Sequence, residues 1–144
     1  MINGVGLVCL YVFDYDEAYD FYVNKLGLKV GMDAPMEGGA GRWLLVHGEK
    51  QPDVPIMLVV PAPPIMDAET AAKVRELVST GYLGFGSLAT DDCRGTYEQL
   101  KARGVEFIEE PSERFYGIDA GLRDPFGNQL RLTQPKPISE IEAP

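Results

Sequence analysis

The sequence predicts an α+β fold built from two copies of one βαβββ module. The same order of strand-like and helix-like segments occurs twice along the 144 residues. An aspartate precedes the first helix of each copy and a glycine follows it, as expected for the N-cap and the left-handed residue after a helix. Each copy closes on a Pro-x-Pro, at residues 61–63 and 135–137.

In the first copy, the apolar run 5–12 predicts a strand that ends before Asp14. Apolar side chains at helical spacing predict a helix over 14–26, closed by Gly27. Three further strands are predicted at 28–32, 42–47 and 56–60.

The second copy repeats this order. A strand is predicted at 83–90 and a helix at 92–103, capped by Asp92 and closed by Gly104. Strands at 105–108, 117–123 and 130–134 complete the module.

Between the copies, residues 67–79 predict an amphipathic helix that Asp67 caps and Gly81 ends. It is a packed linker on one interpretation, and a lid or dimer contact on the other. The predicted organisation is module 1 over 1–63, the linker helix over 64–81, module 2 over 82–137 and an acidic tail over 138–144. We expect them to form one compact domain.

Composition excludes several classes of protein. Hydrophobic residues make up 45% and charged residues 24%, which is typical of a globular domain rather than a disordered chain. A net charge of −9 disfavours nucleic acids and anionic membrane surfaces as partners. Two scattered cysteines, no long apolar run and no basic-then-apolar start predict a cytoplasmic protein without a secretion signal.

Several short motifs together resemble one known family. They are Leu10-Tyr11-Val12-x-Asp14, Phe21-Tyr22, Leu26-Gly27, Leu100-x-x-x-Gly104-Val105, Glu110-Pro111, Tyr116-Gly117 and Asp124-Pro125-x-Gly127-Asn128. In this order the chain resembles the vicinal oxygen chelate superfamily, of the glyoxalase, bleomycin-resistance and extradiol-dioxygenase types. The resemblance covers about residues 4–137 and implies two modules whose curled mixed sheets enclose a cavity, commonly in a homodimer.

The resemblance also implies where a divalent metal would be held, through one side chain on the first and one on the last strand of each module. Carried onto this chain, those positions are Leu7, Met57, Phe85 and Arg131. None is a usual ligand of a hard divalent ion, and a guanidinium carries a permanent positive charge and offers no lone pair. We therefore predict no metal, no other cofactor and no catalytic residue.

Since side chains alternate along a strand, residues in register with these four positions are predicted to line the cavity. They are Leu7, Cys9, Tyr11, Met57, Val59, Phe85, Ser87, Ala89, Gln129, Arg131 and Thr133. The alternate set, which is predicted to face the helices, is apolar: Val8, Leu10, Val12, Ile56, Leu58, Val60, Leu88, Leu130 and Leu132.

Several of these assignments have alternatives. Arg131 either binds a ligand or pairs with an internal acid such as Asp119 or Glu109. Trp43 and Tyr116 are either pocket residues or core aromatics. We expect Cys9 to be a buried structural thiol, and His47 to lie at an exposed strand end rather than act as a base.

These features favour a metal-free protein that binds an aromatic or polycyclic small molecule and sequesters it, as in antibiotic or natural-product resistance. The alternative is an enzyme of the same superfamily, a lyase, isomerase or dioxygenase acting on a small oxygenated substrate. A third hypothesis is an accessory module that works through a partner surface.

Overall fold

The computed structural model describes residues 1–144 and divides them into two compact units, residues 1–80 and 81–144. Each unit holds one four-stranded mixed sheet, with helices packed against it. In each sheet the first strand is parallel to the last, and the remaining neighbours are antiparallel. The predicted α+β fold of two βαβββ modules is confirmed.

Unit 1 has the strand order β1-β4-β3-β2. Its elements are β1 (Val8–Tyr11), α1 (Tyr15–Tyr19), a π-helical segment (Asp20–Lys25), β2 (Lys29–Pro35), a 3₁₀ turn (Glu37–Gly39), β3 (Arg42–His47), β4 (Ile56–Val59) and α2 (Ala68–Thr80). The helix α2, predicted as a linker, belongs to this unit and buries Ala71 and Val78.

Unit 2 has the equivalent strand order β5-β8-β7-β6. Its elements are β5 (Ser87–Ala89), α3 (Cys93–Ala102), β6 (Glu106–Arg114), β7 (Gly117–Arg123), β8 (Gln129–Pro135) and a 3₁₀ turn (Ile138–Glu140).

The predicted helix starts are confirmed by hydrogen bonds. The carboxylate of Asp14 accepts the backbone N–H of Glu17 at 2.8 Å, and that of Asp92 accepts the N–H of Gly95 at 2.9 Å. Asp67 likewise accepts the N–H of Thr70 at 2.8 Å, before the first turn of α2. These bonds satisfy donors that a helix N-terminus otherwise leaves unpaired.

Some predicted boundaries were wrong. The strand predicted at 83–90 is reduced to Ser87–Ala89, because Gly84 and Gly86 have φ values of 79° and 130° that interrupt extended pairing. The helix predicted over 14–26 changes to π-helical pairing at Asp20, where the Leu26 N–H bonds to the carbonyl of Phe21, five residues earlier.

One face of each sheet forms the core of its unit. Leu10, Leu58 and Leu44 are cross-strand partners in unit 1, and each is at most 3% exposed. Leu130 and Leu122 pair in the same way in unit 2 and are fully buried. The predicted alternation therefore separates a buried face from an opposite face, called the open face below. Val59 departs from it, because it is buried although its position predicts the open face.

None of the helices is long and apolar enough to cross a bilayer.

The N-cap of α3 predicts that substitutions at Asp92 and Gly95 have coupled effects on the free energy of unfolding. A Cβ at Gly95 would overlap the Asp92 carboxylate that caps the helix, so Gly95→Ala disrupts the cap while improving helix propensity. We expect Gly95→Ala to leave the free energy of unfolding unchanged or lower it. In an Asp92→Ala background the same change should raise it by about 1 kcal/mol. Urea denaturation of the double-mutant cycle measures the coupling, and strictly additive effects would contradict it.

Candidate functional site

The open face of unit 1 is apolar. One row across the sheet runs through the cross-strand partners Cys9, Met57, Leu45 and Met32. Large apolar side chains on or beside this face reach solvent, with Leu7 and Trp43 each 43% exposed and Met32 48% exposed. Contiguous exposed apolar surface of this kind marks sites where something binds.

The exposure and contacts of three side chains of unit 1 bear on the alternatives that the sequence left open. Cys9 is exposed rather than a buried structural thiol, because its side chain shares the open face with Met57. Trp43 is no core aromatic, since nearly half of it is exposed. The Nδ1 of His47 lies 2.9 Å from the carbonyl oxygen of its neighbour Gly48, at the end of β3.

The open face of unit 2 is polar and centres on an ion pair between β8 and β7. Nε of Arg131 donates to both carboxylate oxygens of Asp119 at 3.1 and 3.3 Å, and Nη2 donates to Oδ2 at 2.5 Å. Asp119 is 1% exposed, whereas the Arg131 side chain is 33% exposed. The predicted alternative of a salt bridge at Arg131 is therefore present in the structure.

Hydroxyl groups complete the coordination of Asp119. The Tyr116 hydroxyl donates to Oδ2 at 2.7 Å, and the Thr133 hydroxyl donates to Oδ1 at 3.0 Å. Ser87 in turn donates to the Thr133 oxygen at 2.6 Å. Four of the predicted site residues (Ser87, Tyr116, Arg131 and Thr133) are thus joined in one hydrogen-bonded network around a buried carboxylate.

A β-bulge brings a second acid to Arg131. In β6 the register shifts between Phe107 and Glu109, so Ile108 and Glu109 both oppose Gly121. Phe107 packs on Tyr97 of α3. Glu109 faces the other side of the sheet, where its carboxylate accepts a hydrogen bond from Nη2 of Arg131 at 2.9 Å. Regular alternation would place residues 107 and 109 on one face, so the bulge is what aims Glu109 at the open face.

Gly121 leaves room for the guanidinium. A Cβ at this position would lie 2.8 Å from Nη1 of Arg131 and 3.0 Å from Cγ1 of Ile108. No protein group accepts a hydrogen bond from Nη1, and Nη1 is not among the buried unpaired atoms, so its two N–H groups face solvent. The carboxylates of Asp119 and Glu109 therefore hold Nε and Nη2 of Arg131, while Nη1 faces solvent.

The ionisation of the network follows from these contacts. Burial raises the pKa of the Asp119 carboxyl, but hydrogen bonds from Arg131, Tyr116 and Thr133 outweigh burial and hold that pKa below its usual value. The hydrogen bond from Arg131 lowers the pKa of Glu109. The neighbouring Asp119 raises the pKa of Tyr116, chiefly through their hydrogen bond. At neutral pH both carboxylates are charged and offset the positive charge of Arg131.

The residues present do not fit the divalent metal that this fold commonly holds. Arg131 stays protonated, since hydrogen bonds from its guanidinium to Asp119 and Glu109 raise its pKa further. Leu7 and Phe85 offer no donor atom, and the thioether of Met57 suits soft ions rather than hard ones. Over residues 1–144, no group of three or more His, Cys, Asp or Glu side chains could hold an ion.

The remaining predicted residues lie at the edges of these faces. Tyr11 is half-buried opposite Val59, and Phe85 is half-buried just before β5. The side chain of Gln129 packs against Gly81. A separate cavity of about 380 Å³ lies beside the β6–β7 turn, between Arg114 and Lys136. None of the predicted site residues lines it.

On β7 of unit 2, sequence reasoning missed Arg123 and treated Asp119 only as an alternative partner for Arg131. Both lie on β7, where Asp119, Gly121 and Arg123 alternate onto the open face. The alternation argument covered only the first and last strands of each module. Extended to the third strand, it would have found both.

Comparison with known proteins decides the family. The model of the Glyoxalase/Bleomycin resistance protein/Dioxygenase superfamily matches residues 4–132. The chain belongs to this superfamily. The predicted resemblance is therefore confirmed, and members of the superfamily recur among similar solved structures.

Relatives from several bacteria match nearly the whole chain. An uncharacterised protein of Shewanella frigidimarina (strain NCIMB 400) is 31% identical and is covered in full by 96% of this chain. The crystal structure of UcmS2 is 38% identical with a TM-score of 0.85, over 92% of this chain and 98% of that one. TnmS3, an antibiotic binding protein from Streptomyces sp. CB03234, is 31% identical with a TM-score of 0.74, over 94% of this chain and 98% of that one.

The Asp119 network predicts a specific response to acid. In the unfolded chain an aspartate has a pKa of about 3.9. Its lower folded-state pKa adds stability above that value, and this stability is lost as the pH falls through the folded pKa. Asp119→Asn should lower the free energy of unfolding at pH 7 by about 2 kcal/mol, because Arg131 loses its main partner. When urea denaturation is measured at pH 7 and at pH 3, the free energy of unfolding should fall less between these two pH values in the variant than in the wild type. Equal losses would contradict the assignment.

Proposed function

We propose that the protein binds an aromatic or polycyclic small molecule and sequesters it without a metal ion, in the manner of an antibiotic-resistance protein. The proposal includes a homodimer in the cytoplasm, as the family resemblance and the two free cysteines favour. One observation carries the proposal. The open face of unit 1 is apolar and exposed, whereas in a monomeric domain such a face would be covered or polar.

That face has the chemistry of an aromatic-ligand site. Trp43 offers a flat ring, and Met32 and Met57 offer adaptable, polarizable side chains around it. Polar groups able to orient a ligand are few, as in most small-molecule sites. The similarity to TnmS3, an antibiotic binding protein, supports the same class of activity here.

The open face of unit 2 has hydrogen-bonding groups of its own. The two open N–H groups of Arg131 are held in fixed directions by Asp119 and Glu109, so a ligand oxygen that accepts them meets a preorganised group. Because Ser87 donates its single hydroxyl hydrogen to Thr133, its oxygen is left to accept a hydrogen bond.

Ligand binding is expected to depend on Trp43. In calorimetric titrations with a panel of flat aromatic antibiotics, at least one should bind with a Kd well below 1 mM, which corresponds to about −4 kcal/mol. Trp43→Ala should weaken this binding by about tenfold, because it removes the largest ring on the open face. Trp43 is the single tryptophan, so its fluorescence in the wild type should also change on binding.

The matched control is Leu77→Ala on α2, which truncates an apolar side chain of similar exposure (48%) outside the strands. It should leave the Kd unchanged. Equal loss in both variants, or no binding anywhere in the panel, would overturn the proposal. Sequestration also requires that the ligand be recovered unchanged, whereas an enzyme of this superfamily would convert it.

The metal-free part of the proposal has its own test. After incubation with Mn²⁺, Ni²⁺ or Zn²⁺ and exhaustive dialysis, elemental analysis should find far less than one ion per chain, since Leu7, Phe85 and Arg131 supply no ligand atom. Ligand affinity should be the same with and without a chelator. A stoichiometric ion that survives dialysis would show that other donors bind it.

A further inference from the structure

Arg123 stands apart from the other arginines of the chain. Arg42, Arg114 and Arg131 pair with carboxylates, and Arg75 and Arg94 donate to backbone carbonyl oxygens. The side chain of Arg123 makes no hydrogen bond and no ion pair, and its Nε is buried without a partner. An unpaired buried donor lowers stability, so the position calls for a physical explanation.

No acid near Arg123 pairs with it in the structure. Asp124, the next residue, directs its carboxylate into the β7–β8 turn, where it accepts the backbone N–H groups of Phe126 and Asn128. Asp119 and Glu109 are engaged by Arg131. Glu106, the cross-strand partner of Arg123, forms no ion pair with it.

The position of Arg123 is that of a ligand-binding group. It lies on the open face of unit 2, two residues along β7 from Gly121, above which the open Nη1 of Arg131 lies. Arg131 has its charge offset by two carboxylates, whereas the charge of Arg123 is not offset within ion-pair distance. The open face therefore offers one neutralised and one free guanidinium.

We infer that Arg123 binds the carboxylate of a small molecule at the open face of unit 2. The inference rests on the proposed function and specifies its ligand as an aromatic acid. A carboxylate would accept charge-assisted, bidentate hydrogen bonds from Nη1 and Nη2 of Arg123, which no protein group accepts and which, unlike Nε, are not buried. The net charge of −9 does not oppose this at physiological salt, because exposed charges more than about 8 Å away are largely screened.

Two probes that share a ring system test the charge requirement. The first is 2-naphthoate, which is an anion at pH 7, and the second is 2-acetylnaphthalene, its uncharged ketone analogue. In calorimetric titrations at 0.15 M NaCl the wild type should bind 2-naphthoate at least about fivefold more tightly. Arg123→Met keeps the apolar stem and removes the charge, and should bring the two affinities to within about twofold of each other.

The control is Arg103→Met, which removes the same charge at the end of α3. It should preserve the preference for 2-naphthoate. Stability gives a second readout, because loss of an unpaired buried donor should leave the free energy of unfolding of Arg123→Met equal to or above that of the wild type. A structural role for Arg123 predicts the opposite, a clear loss of stability.

The outcomes separate the two proposals. Binding of neither probe overturns the inference, whereas aromatic binding itself is overturned only if the antibiotic panel also fails to bind. Equal binding of both probes, tighter binding of the ketone, or a preference for 2-naphthoate that survives in Arg123→Met overturns the inference and leaves aromatic binding standing. Loss of the preference in Arg123→Met alone, with stability retained, supports it.

Discussion

The buried carboxylate of Asp119 is the constraint on which the polar face of unit 2 depends. A charged group at 1% exposure is tolerated only when its oxygens are hydrogen-bonded, and here Arg131 and Thr133 of β8 and Tyr116 of the β6–β7 turn supply the donors. Each of these side chains is thereby fixed in direction. The same contacts neutralise Arg131, so the position to which the family resemblance assigns a metal ligand holds a rigid, charge-balanced donor.

Local backbone features make this arrangement possible. The bulge in β6 turns Glu109 away from the helix side and toward Arg131, and Gly121 leaves space above the sheet for the guanidinium. Either feature alone would be inconspicuous. Together they set which N–H groups of Arg131 are used by the protein and which remain open to solvent.

The two units show how one topology presents two different surfaces. Both sheets have the same strand order and bury the same kind of leucine-rich face. The opposite faces differ, because Cys9, Met57 and Leu45 occupy unit 1 where Ser87, Arg131 and Gly121 occupy the equivalent row of unit 2. Residues on such a face can change without disturbing the core, so one fold can carry different sites.

The amino-acid sequence is enough to predict the module repeat, the helix caps at Asp14, Asp67 and Asp92, and which strand residues face the helices. These features depend on local propensity and on alternation, which are encoded over a few neighbouring residues. It also identified Arg131 as a charged residue in an unexpected position, but it left open whether a ligand or an internal acid pairs with it.

The acids that pair with Arg131 are visible only in the tertiary structure. The Asp119–Arg131 pair joins residues twelve positions apart on neighbouring strands, and the bulge that adds Glu109 is a register effect with no signal in residue spacing. The exposure of Cys9 and Trp43 and the unpaired state of Arg123 likewise depend on which elements cover a face. Packing between distant segments, rather than local sequence, sets those properties.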